Sequence, residues 1–167
     1  AHIGRLGSLD NIAKAKCEIT SYLKPDGALI ANNSDRIRKF VTFEGEKIFY
    51  SIKDVNILIR KPSYTKFLYK EHEYELQVEG DYNVENSLAA IELAQKLGLT
   101  YAEIKHGLYN YHPIEKRWEV EEVKGLKFIN DSYNANPDSM KASVSTFMEL
   151  YNNPVVVIGN MGELGDK

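Results

Sequence analysis

Between the apolar run Lys127-Phe128-Ile129 and an amphipathic segment beginning at Pro137, the chain places Asp131, Ser132, Asn134 and Asn136. The apolar run reads as the end of a β-strand, and Met140, Val144, Phe147 and Tyr151 fall on one face of the helix that follows. A carboxylate at the carboxyl tip of a strand in an open α/β sheet lies where ligands bind. There it can accept both hydroxyls of a ribose or help to position a metal. Asn136 and Pro137 are residue types of a helix cap and a first helical position, which makes both architectural. Asp131 and, less directly, Asn134 are the candidates for chemistry, with a satisfied turn as the competing reading.

A second constellation is Gly80-Asp81-Tyr82-Asn83-Val84-Glu85-Asn86. Asn83 and Asn86 stand three residues apart at the start of a helix and so share a face, beside the free N–H groups of its first turn. An amide side chain offers one acceptor group and two donors, complementary to an adenine edge, and the positive helix end favours phosphate. Asn83 as a plain helix cap is an equally good reading. His2, with Lys16 on the first helix, is a third candidate; spacing alone says little for either, although Lys16 falls beside an apolar stripe, where a lysine must snorkel. Arg117 is a fourth: its planar fork of donors suits a phosphate, and it could equally be an exposed charge. Trp118 reads as core. The glycine-rich Gly159–Lys167 run fits neither the phosphate-loop pattern nor the dinucleotide pattern, so no phosphate-cradling loop is found in these residues.

These groups need elements to hold them. The spacing predicts a helix from Leu9 to Leu23, capped by Ser8 and burying Ile12, Ala15 and Ile19. A buried strand at 28–32 follows, then a run of strands across 36–80 that includes Lys39–Phe43. Two helices come next, 83–97 and 101–109, the second opened by a capping box of Thr100 and Glu103. After Pro113 the character changes to strands at 117–123 and 126–130, a helix from Pro137 to Leu150, and an apolar strand at 154–159. Strand, helix, strand implies a βαβ unit and a parallel sheet. The fold class is α/β, with a boundary near residue 113.

The chain has 167 residues, 43% hydrophobic and 27% charged, enough for one or two domains with real cores. A net charge of −3 gives no footprint for nucleic acid. The single cysteine, Cys17, excludes an internal disulfide and fits a reducing compartment. The longest apolar runs are too short to cross a bilayer. Both ends read as cut: a motif-like stretch starts at once after Ala1, and the last residues stop as a strand gives way to a loop, so a piece of a longer polypeptide is expected.

Taken in order, "AHIGRLGSLDNIAKAKCEI", "GDYNVENSLAAIELA", "DSYNANPDSM" and "GNMGELG" resemble the Mur ligase family of peptidoglycan synthesis, over essentially the whole chain. "DSYNANP" is the most specific. The resemblance implies the later part of a central ATP-binding domain at 1–112 and the first βαβ of a Rossmann-like C-terminal domain at 113–167. It points to the branch that adds D-alanyl-D-alanine to a UDP-N-acetylmuramoyl-tripeptide, by way of an acyl phosphate. ATP and Mg²⁺ are the implied cofactors, and the parent is expected to be a cytoplasmic monomer without membrane insertion or nucleic acid. On the same ground His2 would hold Mg²⁺, and Lys16 would join it as a carbamate, both counted as catalytic. Asn83, Asn86, Arg117, Asp131 and Asn134 would contact the nucleotide. Tyr82 stands where many relatives carry histidine, and Asn160 where aspartate is common. The alternatives are a folylpolyglutamate synthetase-like ligase and a nucleotide-binding or interaction module without catalysis. A dehydrogenase domain is disfavoured by the glycine pattern.

Overall fold

The computed structural model describes residues 6–161. Helix α1 (Leu9–Cys17) starts at Ser8, whose hydroxyl accepts the Asn11 N–H at 3.1 Å, and it tightens into a 3-10 turn at Glu18–Tyr22. Its inward side carries Ala13, Cys17 and Thr20, while Ile19 is 68% exposed. The expected stripe of Ile12, Ala15 and Ile19 is therefore displaced. The reason is the neighbour: α1 lies against α2 (Asp35–Phe40), and the Cys17 thiol points at the Ile37 carbonyl.

Strand β1 (Ala28–Asn32) pairs in parallel with β2 (Glu46–Tyr50), Ala28 opposite Glu46 and Asn32 opposite Tyr50. Between them the expected strand at Lys39–Phe43 is instead α2 and its exit. Ser34 and Asp35 favour a helix start, and a parallel pair needs a crossover, which α2 supplies.

Three antiparallel strands follow in the order β3 (Asn56–Lys61), β4 (Tyr64–Tyr69) and β5 (His72–Leu76). The β4–β5 turn has two residues, Lys70 and Glu71, both at positive φ, which matches the twist that a two-residue hairpin needs. Alternation along β4 and β5 sends Thr65, Phe67, Tyr69, Tyr74 and Leu76 inward. Helix α3 (Asp81–Lys96) lays Val84, Leu88 and Ile91 on that face, and α4 (Tyr101–Tyr109) adds Ile104. This is the main core, with every one of these apolar residues at most 5% exposed. Inside it, Glu92 is held by the Tyr69 hydroxyl at 2.5 Å and by Lys70 at 2.6 Å, which compensates a carboxylate that would otherwise be costly to bury.

The chain then runs without helix or strand to β6 (Glu119–Val123) and β7 (Leu126–Asn130), an antiparallel hairpin turned by Lys124 and Gly125 at positive φ. Helix α5 (Pro137–Leu150) begins at Asn136, whose side chain accepts the Asp138 and Ser139 N–H groups. The expected buried strand at 154–159 is not one. Val155, Val157 and Ile158 are 83%, 93% and 60% exposed, and this run pairs with no strand among the described residues. An apolar strand is defined by its neighbours, so without one alongside, the βαβ unit is not closed here. The architecture is mixed α/β.

Candidate functional site

The first turn of α3 gathers most of the polar detail. Gly80, at φ +96°, is the residue that starts the helix, so Asn83 is not the cap; it sits in the third helical position. A Cβ at residue 80 would fall 2.6 Å from the Tyr82 ring, which makes glycine the only comfortable occupant. Asn83 turns its amide back and donates to the Glu79 carbonyl at 2.7 Å, leaving Oδ1 and the second N–H for another partner. One turn on, Asn86 is exposed. Both line a groove of about 390 Å³ between α3 and α4, with Leu76, Ala90, Ala94, Ile104 and Leu108 in its apolar walls and Tyr111 at its rim. A concave apolar groove with a few polar groups at one edge is the usual form of a small-molecule site.

Two ties fix this edge. Asn32, at the carboxyl tip of β1, donates to Glu85 at 2.6 Å and so sets how α3 is rolled against the parallel pair. Arg60 binds Asp81 on one side and, at 3.1 Å, Glu149 of α5 on the other. Asp81 is thereby neutralised, and the N–H groups of the turn keep their positive character.

Asp131 lies outside the groove. Its Oδ1 accepts the Trp118 N–H at 3.3 Å, and its Oδ2 accepts the Ser143 hydroxyl, so it pins the end of β7 to the 114–118 turn and to α5. It is nevertheless near α3: burial, followed by the negative charges of Asp131 and Glu79, pushes the Tyr82 phenol up. Tyr82 meets the buried Trp118 edge-on, ring centroids 6.1 Å apart. Trp118 is core as expected, but at positive φ in a turn before β6. Arg117 is exposed and stacks its guanidinium 4.1 Å from the Tyr133 ring centre. Asn134 is exposed, and its side-chain carbonyl accepts the Ala135 N–H at 2.8 Å. Lys16 is exposed in the last turn of α1, and His2 lies outside the described residues. Among the described residues no three His, Cys, Asp or Glu are grouped to hold a metal ion.

The structure therefore brings Asn83 and Asn86 together and leaves Asp131, Arg117, Asn134 and Lys16 outside their groove. Sequence reasoning missed Glu79, 1% exposed, which accepts the Ser63 N–H at 2.8 Å and the Tyr151 hydroxyl at 2.6 Å. No local signal marks it: alternation puts Glu79 in step with Glu75 and Gln77, on the face opposite Tyr74, Leu76 and Val78, where a charge reads as solvated.

An apolar groove at the start of a helix beside a parallel strand pair, on a mixed α/β scaffold, defines a candidate small-ligand-binding α/β protein. The Mur ligase middle domain matches residues 1–94, and the Mur ligase glutamate ligase domain matches residues 116–167; the chain belongs to the Mur ligase family. It is 33% identical to the UDP-N-acetylmuramoyl-tripeptide–D-alanyl-D-alanine ligase of Bacillus subtilis, over 99% of this chain and 38% of that protein. It is also 32% identical to a UDP-N-acetylmuramoylalanine–D-glutamate ligase of Desulfitobacterium hafniense, over 94% of this chain and 36% of that one. Among solved structures, the MurF ligase of Thermotoga maritima in complex with ADP superposes with a TM-score of 0.85 at 22% identity, covering 99% of this chain and 41% of that one, a likeness of fold alone. The chain thus spans well under half the length of each of these relatives.

Proposed function

We propose that the chain is the nucleotide-holding part of a longer, ATP-dependent ligase that joins D-alanyl-D-alanine to a UDP-N-acetylmuramoyl-tripeptide. The observation that carries the reading is the pair Asn83 and Asn86 at the polar edge of an apolar groove of about 390 Å³, on the positive end of α3. A base lies flat against apolar walls while amides read its edge. The T. maritima ligase, alike in fold, is in complex with ADP, which fits a nucleotide as a ligand of the full-length protein.

In the proposed reaction a substrate carboxylate oxygen attacks the γ-phosphorus of ATP, ADP leaves, and an acyl phosphate forms. The amine nitrogen then attacks the acyl carbon, the C–O bond to phosphate breaks, and the nitrogen loses a proton. Negative charge grows on two anions held close together, and cationic groups stabilise it. Asn83 and Asn86 orient the base, and Arg117 is the proposed phosphate ligand. Asp131 is the proposed acceptor of the ribose hydroxyls, in exchange for the Trp118 N–H and the Ser143 hydroxyl that it now holds. Asn134 is proposed beside it. Residues 1–112 and 113–167 are proposed as two folding units, supported by the run at 110–118 without helix or strand. Closing one on the other would complete the site. Mg²⁺, with His2 and a carbamylated Lys16, rests on the family resemblance, as do cytoplasmic location and a monomeric parent.

The amine is the open choice, because relatives acting on D-alanyl-D-alanine and on D-glutamate are almost equally similar. "DSYNANP" favours the former. Phosphate release by the full-length protein, supplied with ATP and UDP-N-acetylmuramoyl-tripeptide, should depend on D-alanyl-D-alanine. Release that instead requires D-glutamate and the shorter UDP-linked acceptor would replace this substrate assignment.

A further inference from the structure

The buried carboxylate of Glu79 joins two parts of the chain that are far apart in sequence. Its Oε2 accepts the Ser63 N–H at the β3–β4 turn, and its Oε1 accepts the hydroxyl of Tyr151 at the end of α5, 72 residues away. With both oxygens engaged and only 1% of the residue exposed, the backbone at 79 has little freedom. The carbonyl of that same residue receives the Asn83 amide at 2.7 Å. The chain of contacts therefore runs from Tyr151, through Glu79, to the side chain that meets the groove. Two turns before Tyr151, near its middle, α5 carries Ser143, which holds Asp131. Arg60 runs a second strut in parallel, from Asp81 on α3 to Glu149 on α5.

The middle of this seam is less well satisfied. The Tyr82 hydroxyl and the Trp118 indole N–H are both buried without a hydrogen-bond partner. Leaving two buried polar groups unpaired costs on the order of 1–3 kcal/mol each, so the contact between α3 and the hairpin–α5 segment leans on the bonds at its edges. Tyr151 is chief among these: it packs on Phe147, ring centroids 5.3 Å apart, and its hydroxyl is the one group that reaches the Glu79 carboxylate from α5 among the described residues.

We propose that Glu79 and Tyr151 are positioning residues that set the orientation of the Asn83 amide according to where α5 sits, so that the nucleotide edge is formed correctly only when α5 is docked. The proposal rests on the reading of Asn83 as a nucleotide contact. It makes α5 a part of the site although no side chain of α5 lines the groove. It also gives the acidic residue of the Val78-Glu79-Gly80 run a role that neither core packing nor helix capping requires.

Tyr151→Phe is the sharpest probe, since it removes one oxygen and keeps the ring against Phe147. ATP titration of the full-length protein should show a three- to tenfold weaker affinity for this variant, and the effect should vanish in an Asn83→Ala background. Glu79→Gln, which keeps one acceptor but cannot serve both donors as the carboxylate does, should weaken ATP binding in the same range. Thermal melts of each variant separate positioning from folding: melting lowered with ATP affinity unchanged would mean a structural strut only, and would overturn the proposal. Asn83→Ala losing ATP while Tyr151→Phe binds as wild type would also overturn it, yet leave the nucleotide reading intact. Equal binding by wild type and Asn83→Ala would sink both.

Discussion

Asn83 and Asn86 make different demands on the same helical turn. Asn83 is held by the Glu79 carbonyl and has part of its amide left for a ligand, whereas Asn86 is exposed and free to follow one. Asn86→Ala should therefore weaken ATP binding by about tenfold without moving the melting temperature, since losing a hydrogen bond to a bound ligand costs on the order of 1 kcal/mol or more. Titration and a thermal melt check the two halves separately. Asp131→Ala should behave in the opposite way in the unliganded protein. Removing the carboxylate orphans the Trp118 N–H and the Ser143 hydroxyl, so unfolding in denaturant should show a loss of about 1–3 kcal/mol. In the full-length enzyme the same variant should raise the KM for ATP, and an unchanged KM would remove Asp131 from the nucleotide site. Gly80→Ala forces a Cβ against the Tyr82 ring at a strained φ, and should destabilise by roughly 1–3 kcal/mol while disturbing the edge that Asn83 presents.

Among the elements, those specified by neighbouring residues are legible in the amino-acid sequence. Helix α4 is an example: Thr100 accepts the Glu103 N–H, and Glu103 reaches back to the Thr100 N–H and hydroxyl, a reciprocal arrangement that four residues suffice to encode. The Thr100 hydroxyl and N–H hold the Glu103 carboxyl below its ordinary value of 4.5. A carboxyl with a depressed folded pKa stabilises above its unfolded pKa and loses that contribution as pH falls through the folded one. The protection factor of the amides in the first turn of α4, taken relative to intrinsic exchange at each pH, should accordingly fall as the solution is acidified below about pH 4.5, and Glu103→Gln should flatten that dependence. Elements that depend on distant partners are not legible in this way. The inward face of α1 is chosen by α2, so Ala13 and Cys17 prevail over Ile12 and Ile19. The apolar stretch at 154–159 has the composition of a buried strand, but a ladder needs a neighbour that composition does not supply. For the site, the spacing of Asn83 and Asn86 is legible because one helical turn contains both. The Glu79–Tyr151 bond spans 72 residues and leaves no local trace.

At the scale of the whole molecule, the parallel pair β1–β2 and the antiparallel meander β3–β5 meet α3 from two sides, and the hairpin with α5 is tied to the same helix through Arg60, Glu79 and Trp118. Helix α3 is thus the member on which the other parts converge, and its first turn is where a ligand would feel all of them. The charged strut at Arg60 is partly exposed, and raising salt should loosen it before it affects the buried Glu79–Tyr151 contact. The relatives' names differ in the amine that is joined, so on the proposed reading this turn serves the nucleotide while the amine is chosen elsewhere. The most direct test is photolabelling of the full-length protein with 8-azido-ATP, followed by peptide mapping. Label within residues 81–111, protected by unmodified ATP, is the predicted result. Protectable label confined to other segments, with the α3–α4 groove unmarked, would contradict the assignment of this groove to the nucleotide.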